Sequence, residues 1–359
     1  MKEPKVSVLM PVYNGERYVA EAMESVFAQT FRDFELLIVE DGSTDNSLAV
    51  IQKFTDERLR VLRNDGNKGL MVTRNRAIEE SKGRYLAFLD CDDAALPTRL
   101  EKQVAYLETH PEIGMIGSWV QPIGEEGKNA GEVWQKNASP EEIPSTLFCD
   151  NYFSQSSIMM RREVLSVGLY REAAVEDYDL WIRIVRVYKT WNLQEVLVRH
   201  RIHATRTTVR QGSLVWDQDK KVLRTQLGFL KIAPTEEELD FHWRILRRWI
   251  MSVRDSDFLH RADRWLAGLV EANRVVHAYD ERCFERMISE QWFLNCNGAS
   301  GIGMWTWKLY RTSSLRRAYR LTNREKTVFF LKCLIGRGMT KASGVRTDKE
   351  PSQGIKNIH

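Results

Sequence analysis

The sequence predicts an α/β protein, a mixed and mainly parallel sheet flanked by helices, followed by an all-helical C-terminal region. Three observations predict it. The first half alternates short β-rich runs with helix-length amphipathic stretches. Strand-like runs stop near residue 212. Seven of the eleven tryptophans lie beyond residue 211, among apolar residues at helical spacing.

The elements follow in chain order. Val6–Met10 reads as the first strand and ends in the turn Pro11-Val12-Tyr13-Asn14-Gly15. Glu16–Gln29 carries Val19, Met23, Val26 and Phe27 on one helical face. Leu36–Val39 is a second strand, and the capping cluster Ser43-Thr44-Asp45 opens a helix over Asp45–Phe54. Leu59–Leu62 and Tyr85–Leu89 are further strands, with helices over Leu70–Ser81 and, after Pro97, Arg99–His110. Such alternation gives a sheet covered on both faces, whose ligands bind beyond the strands' carboxyl ends. Beyond residue 212, Leu239, Trp243, Leu246, Trp249, Ile250 and Val253 recur at helical spacing, as do apolar residues through 258–294 and 305–321. The expected organisation is an α/β domain over 1–212, a helical domain over 213–335 and a flexible tail over 336–359.

Composition excludes some classes. Hydrophobic residues make up 43% and charged residues 28% of the 359, which is globular rather than disordered. The net charge of +4 is unevenly spread: residues 1–210 carry −5 and residues 301–359 carry +10. The five cysteines form no CxxC pair, which favours a reducing, cytoplasmic setting over a disulfide framework or zinc site. No signal-peptide pattern and no membrane-spanning apolar run is read, so a soluble or peripheral protein is expected.

Four strand-end constellations carry chemistry. Asp90-Cys91-Asp92-Asp93 packs three carboxylates into four positions, a costly arrangement unless a hard divalent cation or another counter-charge offsets it. In an extended segment Asp90 and Asp92 share one side and Cys91 takes the other. The alternative is a solvated acidic turn. Glu40-Asp41-Gly42-Ser43-Thr44-Asp45 places a carboxylate and a close-approach glycine where a base or ribose can bind, or serves only as a capped turn. Asn67-Lys68-Gly69 with Arg74-Asn75 offers groups for a diphosphate, without a GxGxxG or P-loop pattern. Glu176-Asp177-Tyr178-Asp179-Leu180-Trp181 opens a helix with acids that either complement its dipole or supply a general base.

In their order and spacing, these motifs resemble the inverting family 2 glycosyltransferases of GT-A fold (nucleotide-diphospho-sugar transferases), over roughly residues 4–210. Val6–Gly15, Ser25–Phe31, the Glu40–Asp45 turn, Asn67-Lys68-Gly69 with Arg74-Asn75, the DxD-type Asp90–Asp93, Met160-Arg161-Arg162, Gly168-Leu169-Tyr170 and Glu176–Trp181 carry the resemblance. It implies a nucleoside pocket lined by Pro11, Tyr13, Asn14 and Asp41, with Arg74 near the nucleotide. It further implies Asp90 at the ribose or metal, Asp92 on a Mn²⁺ or Mg²⁺ ion that bridges the diphosphate, and Asp177 as the general base. Glu176 is the competing base. His203, in the Arg-x-His element Arg201-Ile202-His203, is a further candidate metal ligand. Two departures stand out, Glu40 for the usual aspartate and Cys91 for the usual small residue.

The same resemblance implies a nucleotide-sugar donor, commonly a UDP-sugar, and a glycan or lipid-linked acceptor in bacterial surface-polysaccharide assembly. Arg311, Arg316, Arg317, Arg320, Arg324 and Lys326 precede the apolar run Thr327–Leu331, a pattern suited to an anionic membrane surface at the inner face of the plasma membrane. The alternative is that Phe329, Phe330 and Leu334 pack on the catalytic domain. A nucleic-acid partner is not expected. A nucleotidyltransferase would need a Gly-rich basic loop where Pro11–Asn14 stand. A binding protein on a degenerate GT-A fold is the rival from another class.

Overall fold

The structure, a computed structural model, describes residues 3–171, 175–203, 212–246 and 255–336. Two compact units emerge, one of Met1–Ile143 with Asn151–Arg210, the other of Pro144–Asp150 with Gln211–His359. Sequence places the short segment 144–150 inside the sheet unit. Its side chains belong to the helical one. Trp249, Ile250, Val253 and the tail from 337 lie outside the described residues.

The sheet unit is built on eight strands: β1 (Val6–Val12), β2 (Phe34–Glu40), β3 (Leu59–Arg63), β4 (Tyr85–Phe88), β5 (Ala94–Ala95), β6 (Ile113–Ile123), β7 (Met159–Arg161) and β8 (Lys189–Arg201). Their order is β3-β2-β1-β4-β7-β6-β8-β5. β1 pairs in parallel with both β2 and β4, β2 with β3, and β6 with β8, whereas β7 and β5 run antiparallel to their neighbours. β1 and β2 are buried along their whole length because helices cover both faces, so their sequences are continuous rather than alternating in hydrophobicity. Pro11 fits inside β1 because the β1–β4 ladder ends at Leu9 opposite Phe88, so its missing N–H costs that ladder nothing.

The chain runs β1, β2, β3 to one side and then returns to place β4 on the other side of β1. Crevices at such a reversal receive ligands. The covering helices are α1 (Val19–Phe27), α2 (Ser47–Ile51), α3 (Leu70–Glu80) and α4 (Arg99–Thr109), with α6 (Glu176–Ile184) further on. Val19, Ala22, Met23 and Val26 are the buried face of α1.

The helical unit holds α5 (Ile143–Cys149), α7 (Gly212–Phe229), α8 (Glu236–Leu246), α9 (Ser256–Val276), α10 (Glu281–Gly298), α11 (Met304–Thr312) and α12 (Asn323–Ile335). Among the described residues, side chains cap several starts: Asp255 accepts from Phe258 N, Asp280 from Cys283 N, and Thr235 with Glu238 and Thr322 with Glu325 form capping boxes. Trp292, Phe284 and Ile288 are fully buried. Phe148 of α5 meets the Phe284 ring edge-on at 5.0 Å. Phe329 packs on Phe293 and Tyr310, and Phe330 on Trp307, all within this unit.

Gly83, in the turn before β4, lies against β1. A Cβ there would sit 2.4 Å from Ser7 N and 2.7 Å from Val6 C, both backbone atoms that cannot yield. Gly83→Ala is expected to lower unfolding stability by about 1–3 kcal/mol, read from the urea midpoint. An unchanged midpoint would mean that the turn does not press on β1.

Candidate active site

The site forms beyond the carboxyl ends of β1, β2 and β4, with the end of β8 and the start of α6 completing it. Its first wall consists of two turns fastened to each other. Asn14, in a left-handed conformation (φ 51°) that asparagine tolerates, donates its backbone N–H to Ser43 Oγ at 3.1 Å. Its side-chain oxygen accepts from Thr44 N at 2.8 Å. Asp45 accepts from Glu16 N, and Glu16 accepts from Asn46 N. Pro11 is buried in β1, Asn14 is engaged with the neighbouring turn, and Tyr13 presents its ring 43% exposed.

Asp41 is buried, and its carboxylate serves the chain itself. Oδ1 accepts from Asn64 Nδ2 at 2.6 Å and Lys68 N at 2.9 Å, and Oδ2 accepts from Gly69 N at 3.0 Å. Of roughly four lone-pair directions on a carboxylate, three are filled, which leaves about one for a ligand. Gly42 permits the closeness: its φ is +71°, and a Cβ there would lie 2.5 Å from the Gly66 carbonyl carbon. Glu40 also turns inward, accepting from Ser43 N and pairing with Arg63 Nε at 3.2 Å.

Arg74, on α3, is 6% exposed and bridges two motifs far apart in sequence. Nη2 donates to Asp90 Oδ1 at 2.9 Å and Nη1 to Glu176 Oε1 at 2.8 Å. Its guanidinium lies 5.8 Å from the Tyr170 ring centroid. Burial opposes its charge, but the Asp90, Tyr170 and Glu176 side chains hold its pKa above the usual value. Next to it, Asn75 and Tyr170 exchange two bonds: Asn75 Nδ2 donates to Tyr170 O at 2.9 Å and Tyr170 N to Asn75 Oδ1 at 3.0 Å. The two neighbouring acids, both candidates for the base, differ in geometry. Glu176 is committed to Arg74, and Asp177 points elsewhere.

Asp177 accepts from Tyr178 N at 2.7 Å and from Asn151 Nδ2 at 3.3 Å. Burial first, then the adjacent Glu176 charge, pushes its carboxyl up to about 6, against the pull of Arg74 and its two donors. A carboxylate poised there can take a proton near neutral pH.

On the opposite flank His203 Nε2 lies 2.8 Å from Asp92 Oδ2. Burial lifts the Asp92 carboxyl above its usual range despite the His203 bond, and Asp93 and Asp90 add to the rise. Such concentrated negative charge is what a cation relieves. A carboxylate oxygen and an imidazole nitrogen are donors that a hard divalent cation accepts, so Asp92 and His203 would be the residues to hold one. Among the described residues no three His, Cys, Asp or Glu side chains form a closed cage. Cys91 takes no part: burial and the three acids push its thiol up, and its sulfur would be 3.0 Å from a Cβ at Gly15.

Sequence reasoning missed several supports. Asp93 is fully buried; it receives His200 Nδ1 at 2.9 Å and Arg201 N at 2.8 Å, which hold its carboxyl below the usual range in spite of burial. Arg201 is 1% exposed, donates from Nε to Asp92 O at 2.9 Å, and lies over the Tyr18 ring at 4.5 Å. The Arg-x-His element contained that signal, read there only for its histidine. Asn151 had no local signal at all.

A doubly covered, mixed sheet with an acidic turn at a strand end is the GT-A arrangement. Comparison with known proteins agrees. The Glycosyl transferase family 2 model matches residues 7–169. The amylovoran biosynthesis glycosyltransferase AmsE of Erwinia amylovora is 30% identical over 72% of this chain and 98% of its own length. The UDP-Glc:alpha-D-GlcNAc-diphosphoundecaprenol beta-1,3-glucosyltransferase WfgD of Escherichia coli is 30% identical over 52% of this chain and 72% of its own. Residues 1–349 of S. aureus TarS, crystallised with UDP-GlcNAc, superpose with a TM-score of 0.53 at 20% identity, covering 86% of this chain and 90% of that one. The chain belongs to glycosyltransferase family 2.

Arg74→Ala leaves Asp90 and Glu176 facing one another without their shared cation. It is expected to cost on the order of 3 kcal/mol in chemical denaturation. Arg74→Lys, which keeps the charge but cannot fork to both carboxylates, should recover only part of this. Full recovery by lysine would show that charge alone matters at this position.

Proposed function

We propose that this glycosyltransferase moves a sugar from a nucleotide-diphosphate sugar, with UDP as carrier, to a hydroxyl of a lipid-linked glycan. Transfer inverts the anomeric centre, and the setting is cell-surface polysaccharide assembly at the cytoplasmic face of the plasma membrane. The observation that carries the reading is the separation of adjacent acids, Glu176 held by Arg74 and Asp177 left with a carboxyl raised to about 6. The name of AmsE supports the polysaccharide setting, and that of WfgD supports a UDP-linked donor and a lipid-linked acceptor.

Charge develops on the leaving diphosphate as the sugar departs. Asp92 and His203 would hold the Mn²⁺ or Mg²⁺ ion, which when bound supplies electrostatic stabilisation to that diphosphate. Tyr13 and the remaining acceptor direction of Asp41 face the nucleoside. Asp90 is fixed by Arg74 and by its backbone N–H bond to Ser156 Oγ at 3.1 Å, so the acidic strand end is pre-positioned. Asp177 removes the acceptor hydroxyl's proton as that oxygen attacks. Holding donor and acceptor in line makes the step effectively unimolecular, and one displacement inverts the centre.

Asp177→Asn is expected to bind the nucleotide sugar with unchanged affinity while turnover falls about 10²–10⁴-fold. Turnover within a few-fold of the parent would move the base elsewhere. In the parent, the active form of Asp177 is deprotonated, so kcat/KM should fall as pH drops through about 6 and level off above it. Glu176→Gln removes the neighbouring negative charge and should shift that acid limb to lower pH.

Donor hydrolysis is expected to need Mn²⁺ or Mg²⁺, to stop on addition of EDTA, and to be abolished in Asp92→Ala. If no nucleotide sugar is bound or cleaved with either ion present, the chain is instead a binding protein on an inactive GT-A fold.

A further inference from the structure

Helix α12 is apolar on two opposite faces. Phe329 and Cys333 turn inward, and Phe329 is fully buried with Trp307, Tyr310 and Phe293 around it. Val328, Leu331, Leu334 and Ile335 point the other way and remain 43%, 44%, 57% and 43% exposed. Helical spacing aligns these four with Arg324 on one stripe, with Lys332 at its border. A helix that only had to pack on its own unit would need one apolar face. A second apolar stripe left open by the described residues is an interaction surface.

The surrounding charge identifies its occupant. Residues 301–336 contain eight lysines and arginines against one acid, Glu325. All eight cations are exposed, and among the described residues none of them joins an ion pair. Glu325 is itself occupied in the capping box with Thr322. A second copy of the chain would bring the same positive charge against this face. An anionic bilayer complements both parts, with the stripe at the acyl boundary and the cations among the head groups. No described helix is long and apolar enough to cross a membrane, so the contact is with the bilayer surface.

We propose that the outward stripe of α12, with the exposed cations around it, seats the protein on an anionic lipid surface. This inference stands apart from the transferase chemistry, and the two fail separately when donor hydrolysis is measured on the same samples.

The test is co-sedimentation of the full chain with phosphatidylcholine vesicles, with and without phosphatidylglycerol, at low and high salt. The expected result is binding only to vesicles containing phosphatidylglycerol, weakened by salt. The double variant Leu331→Glu/Leu334→Glu should bind at least tenfold more weakly with donor hydrolysis unchanged. Equal binding of parent and double variant would assign attachment to the basic tail beyond residue 336 and overturn the proposal. So would absence of binding, or a dimer in light scattering that the double variant dissociates.

Discussion

The site depends on one buried cation. Arg74 sits where the end of β4 and the start of α6 meet, and its fork ties Asp90 to Glu176. Two carboxylates brought together at this depth repel each other, and a guanidinium between them converts the repulsion into a joint. By engaging Glu176 it sets that acid apart from Asp177, and its positive charge moderates the rise in the Asp177 carboxyl. Remove the fork and Asp90 loses its fixed relation to Glu176 and so to the start of α6.

Arg201 plays the matching part on the other flank. Its guanidinium is fully buried against the Tyr18 ring, and it holds the Asp92 carbonyl while its backbone N–H holds Asp93. Asp93 is thus drawn away to β8 and Asp92 is presented with His203. The three acids of one short motif end in three roles: Asp90 joined to Arg74, Asp92 beside the imidazole, and Asp93 anchoring the sheet. Side-chain direction set by strand-end geometry separates them, not any difference in chemistry.

Much of the fold was legible because its signals are local. Continuous apolar runs marked β1, β2 and β4, Ser43-Thr44-Asp45 marked a capped turn, and an acidic first turn marked α6. The residues gathered at the candidate site were legible as a set through the order of their motifs. Their individual commitments were not. That Asp41 is largely engaged by Lys68 N and Gly69 N depends on how close two loops approach, which Gly42 permits but does not announce. That Glu176 rather than Asp177 meets Arg74 depends on the rotation of α6 against α3. Asn151, which donates to Asp177, lies in a stretch with no motif.

The placement of α5 bears on how the chain is made. Synthesis delivers Phe148 and Cys149 well before Leu223, Leu259, Phe284 and Trp292, the residues with which they share a core. As the sheet unit emerges from the ribosome it therefore carries an apolar segment whose eventual neighbours do not yet exist. A nascent chain in that position exposes a sticky helix for the time needed to translate the remainder, the interval in which chaperones bind. The order of residues along the chain thus starts the helical unit in the middle of the sheet unit's synthesis and completes it only at the end.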